Sequence, residues 1–208
     1  MGLFSSGWRR ERRLQALQDA SNKHAETALL LWRAGHADEA LVHNRQALTV
    51  IRRLRAEEPN NEQHLAQLAG KLYNHAGMLT QSGQFAEAAD TARACLDSYL
   101  ELTGGEVSQA AILEDRLMRL SHSPRPTLTP RGDLIRLAAM TADAKGRLAS
   151  ILAVLRSPGA AEEALRLGSE AVSTYQILAR ADNDYGADLA RVQEQYAVTV
   201  RRLLGEKA

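Results

Sequence analysis

The sequence predicts an all-α protein: an α-solenoid of antiparallel helical hairpins, about three of them, followed by a terminal helix. Three observations carry this. Of 208 residues only 4% are aromatic, and Ala, Leu, Arg, Glu and Gln dominate; these are strong helix formers. Apolar residues recur at three- and four-residue steps through most of the chain, the period of a helix with one buried face. Finally, one pattern occurs three times, anchored on Gly35, Gly83 and Gly159. A leucine stands four residues before each glycine (Leu31, Leu79, Leu155). Glu39-Ala40, Glu87-Ala88 and Glu163-Ala164 follow at four and five residues after it. Next come the pairs Ala47-Leu48, Cys95-Leu96 and Ala171-Val172, then Ile51, Tyr99 and Tyr175, then Leu54, Leu102 and Leu178.

The elements follow in order. The first helix starts near Trp8 and runs to about Ala34, with Leu14, Leu17, Ala25, Ala28, Leu31 and Trp32 at helical spacing. Gly35 ends it, as glycine does at helix C-termini. The second runs from about Ala37 to Glu57, where Pro59-Asn60-Asn61 stops it and offers an N-cap for the third. The third spans about Glu62 to Gln81, with Leu65, Leu68, Leu72, Ala76 and Leu79 on one side. Gly83 turns the chain into the fourth, about Phe85 to Leu102. Thr103 with Glu106 reads as a capping box opening a shorter helix to about Leu120. Residues 121–132 read as a loop holding three of the five prolines, through which helix cannot run. Helices of about Asp133 to Arg156, Ala160 to Arg180 and Tyr185 to Leu204 complete the chain.

The first two glycine anchors lie 48 residues apart and the next two 76 apart. The extra short helix and the proline loop account for the difference. The expected organisation is one helical domain over residues 1–208. Residues 1–20 form a basic N-terminal extension of the first helix, and 121–132 a surface excursion rather than a hinge, because the third hairpin keeps the pattern of the others and could stack on them.

The Leu-x3-Gly-x3-Glu-Ala core, with the small and apolar positions after it, resembles tetratricopeptide repeats of a degenerate, long-helix bacterial type. The family's Trp and Leu-Gly near the start of its first helix are absent, and the spacing exceeds the usual 34. The physical logic fits: small Ala40, Ala88 and Ala164 let the second helix of each hairpin approach the first, and the glycine permits a tight turn. The resemblance implies a non-catalytic protein–protein interaction module, an adaptor or regulatory subunit that grips a peptide or helix of a partner protein on a concave face lined by the first helix of each hairpin. By register that face carries Asn22, Ala25, Leu29 and Trp32; Gly70, Tyr73, Gly77 and Thr80; and Gly146, Ala149, Ala153 and Arg156. The expected groove residues are Trp32, Arg33, Tyr73, Asn74, Gly77 and Arg156. One version of this fold clamps a C-terminal carboxylate. Only Asn74 sits where that clamp would want it, and Ala25, Leu29, Gly146 and Ser150 fill the other places, so that clamp is not expected here.

The helix-interior glycines Gly70 and Gly77 each cost about 1 kcal/mol relative to alanine. Either neighbouring helices pack closely over them, or a partner backbone approaches there.

Other function classes find less support. Net charge is +1, so no global field points to nucleic acid or membrane. The cluster Arg9, Arg10, Arg12, Arg13 beside Trp8 offers possible anion contacts to nucleic acid or an anionic surface, or is a solvated helix extension. No histidine pair on one helix is spaced at three or four, and no phosphate loop or nucleophile elbow occurs. Neither an enzyme nor a cofactor or metal is expected. Cys95 stands where the other repeats have alanine, which points to a small buried residue. With a single cysteine and no long apolar run, the expected location is the cytoplasm. Arginine richness suggests a bacterial source. The apolar residues of the last helix, among them Leu189, Val192, Tyr196, Val200 and Leu203, spread over more than one face. That helix therefore either packs on an earlier one or forms a homo-oligomer surface. A structural subunit of a homo- or hetero-oligomeric assembly is the alternative to peptide binding.

Overall fold

The computed structural model describes residues 3–105, 110–121, 128–155 and 157–205. Among them are eight α-helices and no strand: α1 Leu3–Arg33, α2 Ala37–Glu57, α3 Glu62–Gln81, α4 Phe85–Leu102, α5 Ala110–Ser121, α6 Leu128–Leu155, α7 Ala160–Ala181 and α8 Gly186–Leu203. Consecutive helices pack in pairs, α1 on α2, α2 on α3, α6 on α7 and α7 on α8, so the fold is an all-α array of helical hairpins. The chain divides into two compact units, Met1–Thr91 and Ala92–Ala208, with the boundary inside α4.

The repeated pattern is the buried pattern. Ala40, Ala88 and Ala164 are fully buried, as are Ala47, Cys95 and Ala171 and then Ile51, Tyr99 and Tyr175. The glycine turns explain the recurring leucine. At the first turn Gly35 N–H donates to Trp32 O (3.0 Å) and His36 N–H donates to Leu31 O (2.9 Å). The second repeats it, with Gly83 N–H to Thr80 O (3.1 Å) and Gln84 N–H to Leu79 O (2.9 Å). This is the Schellman closure, whose left-handed residue is best met by glycine; φ is 85° at Gly35 and 74° at Gly83.

The third turn differs. Gly159 is also left-handed (φ 77°), but it is the N-cap of α7, and its carbonyl accepts from Glu163 N–H (3.1 Å). Pro158 stands between α6 and this glycine, so helix α7 begins one residue sooner after its glycine than α2 and α4 do.

In the first unit, α1 and α2 are tied by buried Ser21, whose hydroxyl donates to Ala47 O (3.1 Å). Buried Asn44 of α2 donates to Lys71 O of α3 (3.1 Å). Asn61 caps α3 by accepting from Gln63 N–H (3.1 Å), as expected. In the second unit, Leu113 and Leu117 of α5 share a core with Ile135, Ala138, Tyr175, Leu178 and Val192. Buried Lys145 of α6 pairs with Glu170 of α7 at 2.8 Å.

Three boundaries depart from expectation. Helix α1 extends back to Leu3. Helix α6 is already formed at Leu128, ahead of the expected start at Asp133, and takes in Pro130. Thr103 does not act as an N-cap, because Gly104 and Gly105 after it are left-handed (φ 59° and 75°) rather than helical. Thr103 instead donates its hydroxyl back to Tyr99 O and Leu100 O at the end of α4 (3.0 and 3.2 Å). Glu106 and residues 122–127 of the proline loop lie outside the described residues.

Candidate partner-binding face

The clearest candidate surface lies in the first unit, where α1 and α3 run side by side. Gln18 donates to Gln67 at 2.7 Å, and the Trp32 indole N–H donates to the Gln81 side-chain oxygen. Both links join residues 49 apart. The two helices are therefore parallel and in register over the 14 residues from Gln18 to Trp32, about 21 Å at 1.5 Å per residue. Parallel first helices in register are what stacking of successive hairpins produces.

The expected site residues fall on this frame as follows. Trp32 is half-buried and Arg33 exposed at the C-terminal end of α1, level with Gln81. Tyr73 and Asn74, both half-buried, sit about two turns back along α3. Asn22 is exposed, and Ala25, Leu29, Gly70 and Thr80 are half-buried. Gly77 is buried, which leaves it no open surface. Gly70 is free of close packing: a methyl group there would meet nothing within 4 Å. Arg156 lies outside the described residues.

In the third hairpin the expected inner face is not open. Helix α8 covers it. Gln195 reaches within 3.5 Å of where a Gly146 side chain would begin, and its amide donates to Ser150 Oγ (3.0 Å). Gly146, Ala149, Val192, Gln195, Tyr196 and Thr199 line one narrow crevice, and Ala149 and Ala153 are buried. The last helix therefore packs on earlier ones. Arg191 fastens it, donating to Asp143 of α6 (2.9 Å) while Tyr175 of α7 donates to the same carboxylate (3.0 Å).

The N-terminal arginines are partly engaged within the chain. Arg13 pairs with Glu57, Arg10 donates to Glu57 O (3.3 Å), and Arg12 lies 4.1 Å over the Trp8 ring. All four, with Arg9, remain exposed.

Several features were not read from the sequence. Arg45, ten residues after Gly35, pairs with Glu87, four after Gly83 (3.4 Å). Arg93, ten after Gly83, pairs with Glu163, four after Gly159 (3.0 Å). The same ion pair thus links each hairpin to the next. Its termini lack it: the equivalent of Arg45 and Arg93 in the third hairpin is Ser169, and Glu39 of the first pairs locally with His36 (3.6 Å). The recurrence of Arg at that repeat position was the available signal. Another helix-interior glycine, Gly168, was also missed: the ring of Tyr196 packs against it, Cδ2 and Cε2 nearest.

The buried ionisable groups have physical reasons for their state. Burial, with Arg45 beside it, pushes His75 down to about 4, against an opposing effect of Glu87; its Nδ1 is buried with no hydrogen-bond partner. Burial lowers Lys71 and raises the Cys95 thiol to about 12. Among the described residues no group of three His, Cys, Asp or Glu is placed to hold a metal ion, and no helix is long and apolar enough to cross a membrane.

Compared with known proteins, the chain matches no protein-family model and no curated protein.

Proposed function

We propose that the chain is a tetratricopeptide-like, non-catalytic interaction module, an adaptor or regulatory subunit that binds a peptide segment or helix of a partner protein. The single observation that supports this most is the parallel, in-register pairing of α1 and α3. It leaves Trp32, Arg33, Tyr73 and Asn74 at least partly accessible on two rigid helices. Aromatic and arginine side chains are the residue types that anchor protein interfaces. Gly77 is buried, so the partner contacts fall on its neighbours. The test is affinity capture from the native cell, comparing wild type with Tyr73→Ala: a partner retained by wild type and depleted by the variant supports the reading, and identical recovery counts against it.

A second reading, self-association through the C-terminal helix, has one observation in its favour. Val172, Tyr196, Ala197 and Val200 line an open, mostly apolar groove of about 570 Å³, and Leu204 is exposed just beyond it. Light scattering across the micromolar range tests it; a monomer throughout counts against it.

A further inference from the structure

The third hairpin leaves open an edge that the first two bury. Six residues after the repeat glycine stand Leu41, Ala89 and Leu165, and thirteen after it Leu48, Leu96 and Val172. Leu41, Ala89, Leu48 and Leu96 are buried, whereas Leu165 is 38% exposed and Val172 half-buried. Helix α8 supplies only part of the cover. It stands to α6 as α3 stands to α1: Arg191 reaches Asp143, 48 residues away, and Thr199 reaches Ser150, 49 away, against 49 for both links between α1 and α3. It therefore holds the place of the first helix of a following hairpin. At the matching register of α3, 124 positions earlier like Gly35 before Gly159, stand Leu72 for Tyr196 and Ala76 for Val200. Leu72 and Ala76 are buried, but Tyr196 and Val200 only half-buried. Among the described residues α8 packs only on α6, α7 and the short turn Asn183–Tyr185 before it, so the second helix of that hairpin has no counterpart. A solenoid end is ordinarily closed by a polar outer face; this one keeps apolar residues.

We infer that α8 of a second copy supplies the cover, lying antiparallel in the groove between α7 and α8 about a two-fold axis. The inference rests on the self-association reading of the C-terminal helix and adds its geometry. Two observations choose this occupant. The edge does not fit another hairpin of the same kind. At both existing junctions an arginine ten residues after the glycine meets a glutamate of the next hairpin. The third hairpin has Ser169 there, and α8 already fills the first-helix place. The first hairpin of another copy, with its exposed Glu39, thus finds neither partner nor room, which disfavours head-to-tail growth into a filament. The groove face of α8 instead complements itself when run antiparallel. Ala197 falls opposite Val200, Gln193 opposite Leu204 and Tyr196 opposite Arg201. Small Ala197 lets the helices approach closely. Arg201, held by Glu194 of its own helix at 2.8 Å, lies against the other copy's tyrosine ring, an attractive pairing. A two-fold interface makes every such contact twice.

The test uses the full chain. Light scattering should show a dimer in the micromolar range. Val200→Glu and Leu204→Glu should each weaken it about tenfold or more while leaving helix content unchanged, and Val42→Glu on α2 should leave it intact. Disulfide trapping reads the register. Ala197→Cys lies beside the axis and should give a covalent dimer on mild oxidation. Gln193→Cys alone should not, since its two copies stand about 16 Å apart along the helices, but mixed with Leu204→Cys it should. Cys95 is buried and stays out of the reaction. A wild-type monomer throughout the micromolar range overturns the self-association reading and this inference together. A dimer that survives both glutamate substitutions, fails to trap through Ala197→Cys, or traps Gln193→Cys with itself leaves self-association standing and overturns this arrangement.

Discussion

Gly168 and Gly70 are both helix-interior glycines, yet replacing each by alanine should have opposite effects. A methyl group at Gly168 would lie 2.4 Å from Tyr196 Cδ2 and 2.9 Å from Cε2. Carbon atoms rest at about 3.5–4.0 Å, so the ring must retreat by about 1 Å or α7 and α8 must separate. Overpacking of this kind costs about 1–3 kcal/mol, while the better helix propensity of alanine returns about 1 kcal/mol. Gly168→Ala should therefore destabilise by up to about 2 kcal/mol. Removing the ring removes the conflict: in a Tyr196→Ala background the same substitution should stabilise, giving a coupling of about 1–3 kcal/mol in a double-mutant cycle. Gly70→Ala meets no atom within 4 Å and should stabilise by about 0.5–1 kcal/mol. Urea denaturation followed by circular dichroism reads all of these. A Gly168→Ala protein as stable as wild type, with no coupling to Tyr196, would refute the packing described for α8.

Three further predictions follow from buried polar groups. The folded-state pKa of His75, about 4, lies below its ordinary value of about 6.5, so the unfolded chain takes up the proton first. Stability present above pH 6.5 should fall as the pH drops towards 4, by on the order of 3 kcal/mol, and His75→Leu should flatten that part of the pH–stability curve. Burial pushes Glu170 up, but Lys145 and Arg166 outweigh it and hold the carboxyl below its usual range; the benefit is present above about pH 4.5 and lost as the pH falls through the lowered value. Lys145→Met, read by thermal unfolding at pH 7, should cost about 2 kcal/mol, less than a fully buried pair because Glu170 is 33% exposed. Cys95, buried with its thiol raised to about 12, should react with a thiol reagent at neutral pH only after unfolding.

The hairpins were legible because each rests on local chemistry. Gly35 and Gly83 mark left-handed closures, and Ala40, Ala88 and Ala164 mark close helix approach. Where local chemistry was ambiguous, the reading slipped: helix α6 took in Pro130, and Thr103 bonded backwards into α4 instead of capping a following helix. The rest depended on which helices meet. Spacing within one helix could not reveal that Nδ1 of His24 and Nδ1 of His43 meet at 3.3 Å between α1 and α2, that Tyr196 lies on Gly168, or that α8 covers the face of Gly146 and Ala149. The repeated Arg45–Glu87 and Arg93–Glu163 pairs lay between these cases, periodic in sequence but meaningful only once successive hairpins were seen to share them.

The proposed binding face can be interrogated most directly by site-specific photo-crosslinking in the native cell. A photoreactive residue at Tyr73 on α3 is compared with one at Val42, which is 54% exposed on α2. The expected result is a discrete adduct with another protein from position 73, suppressed by Trp32→Ala, and none from position 42. Equal labelling from both positions, or an adduct from position 42 alone, would contradict a partner-binding face built from α1 and α3.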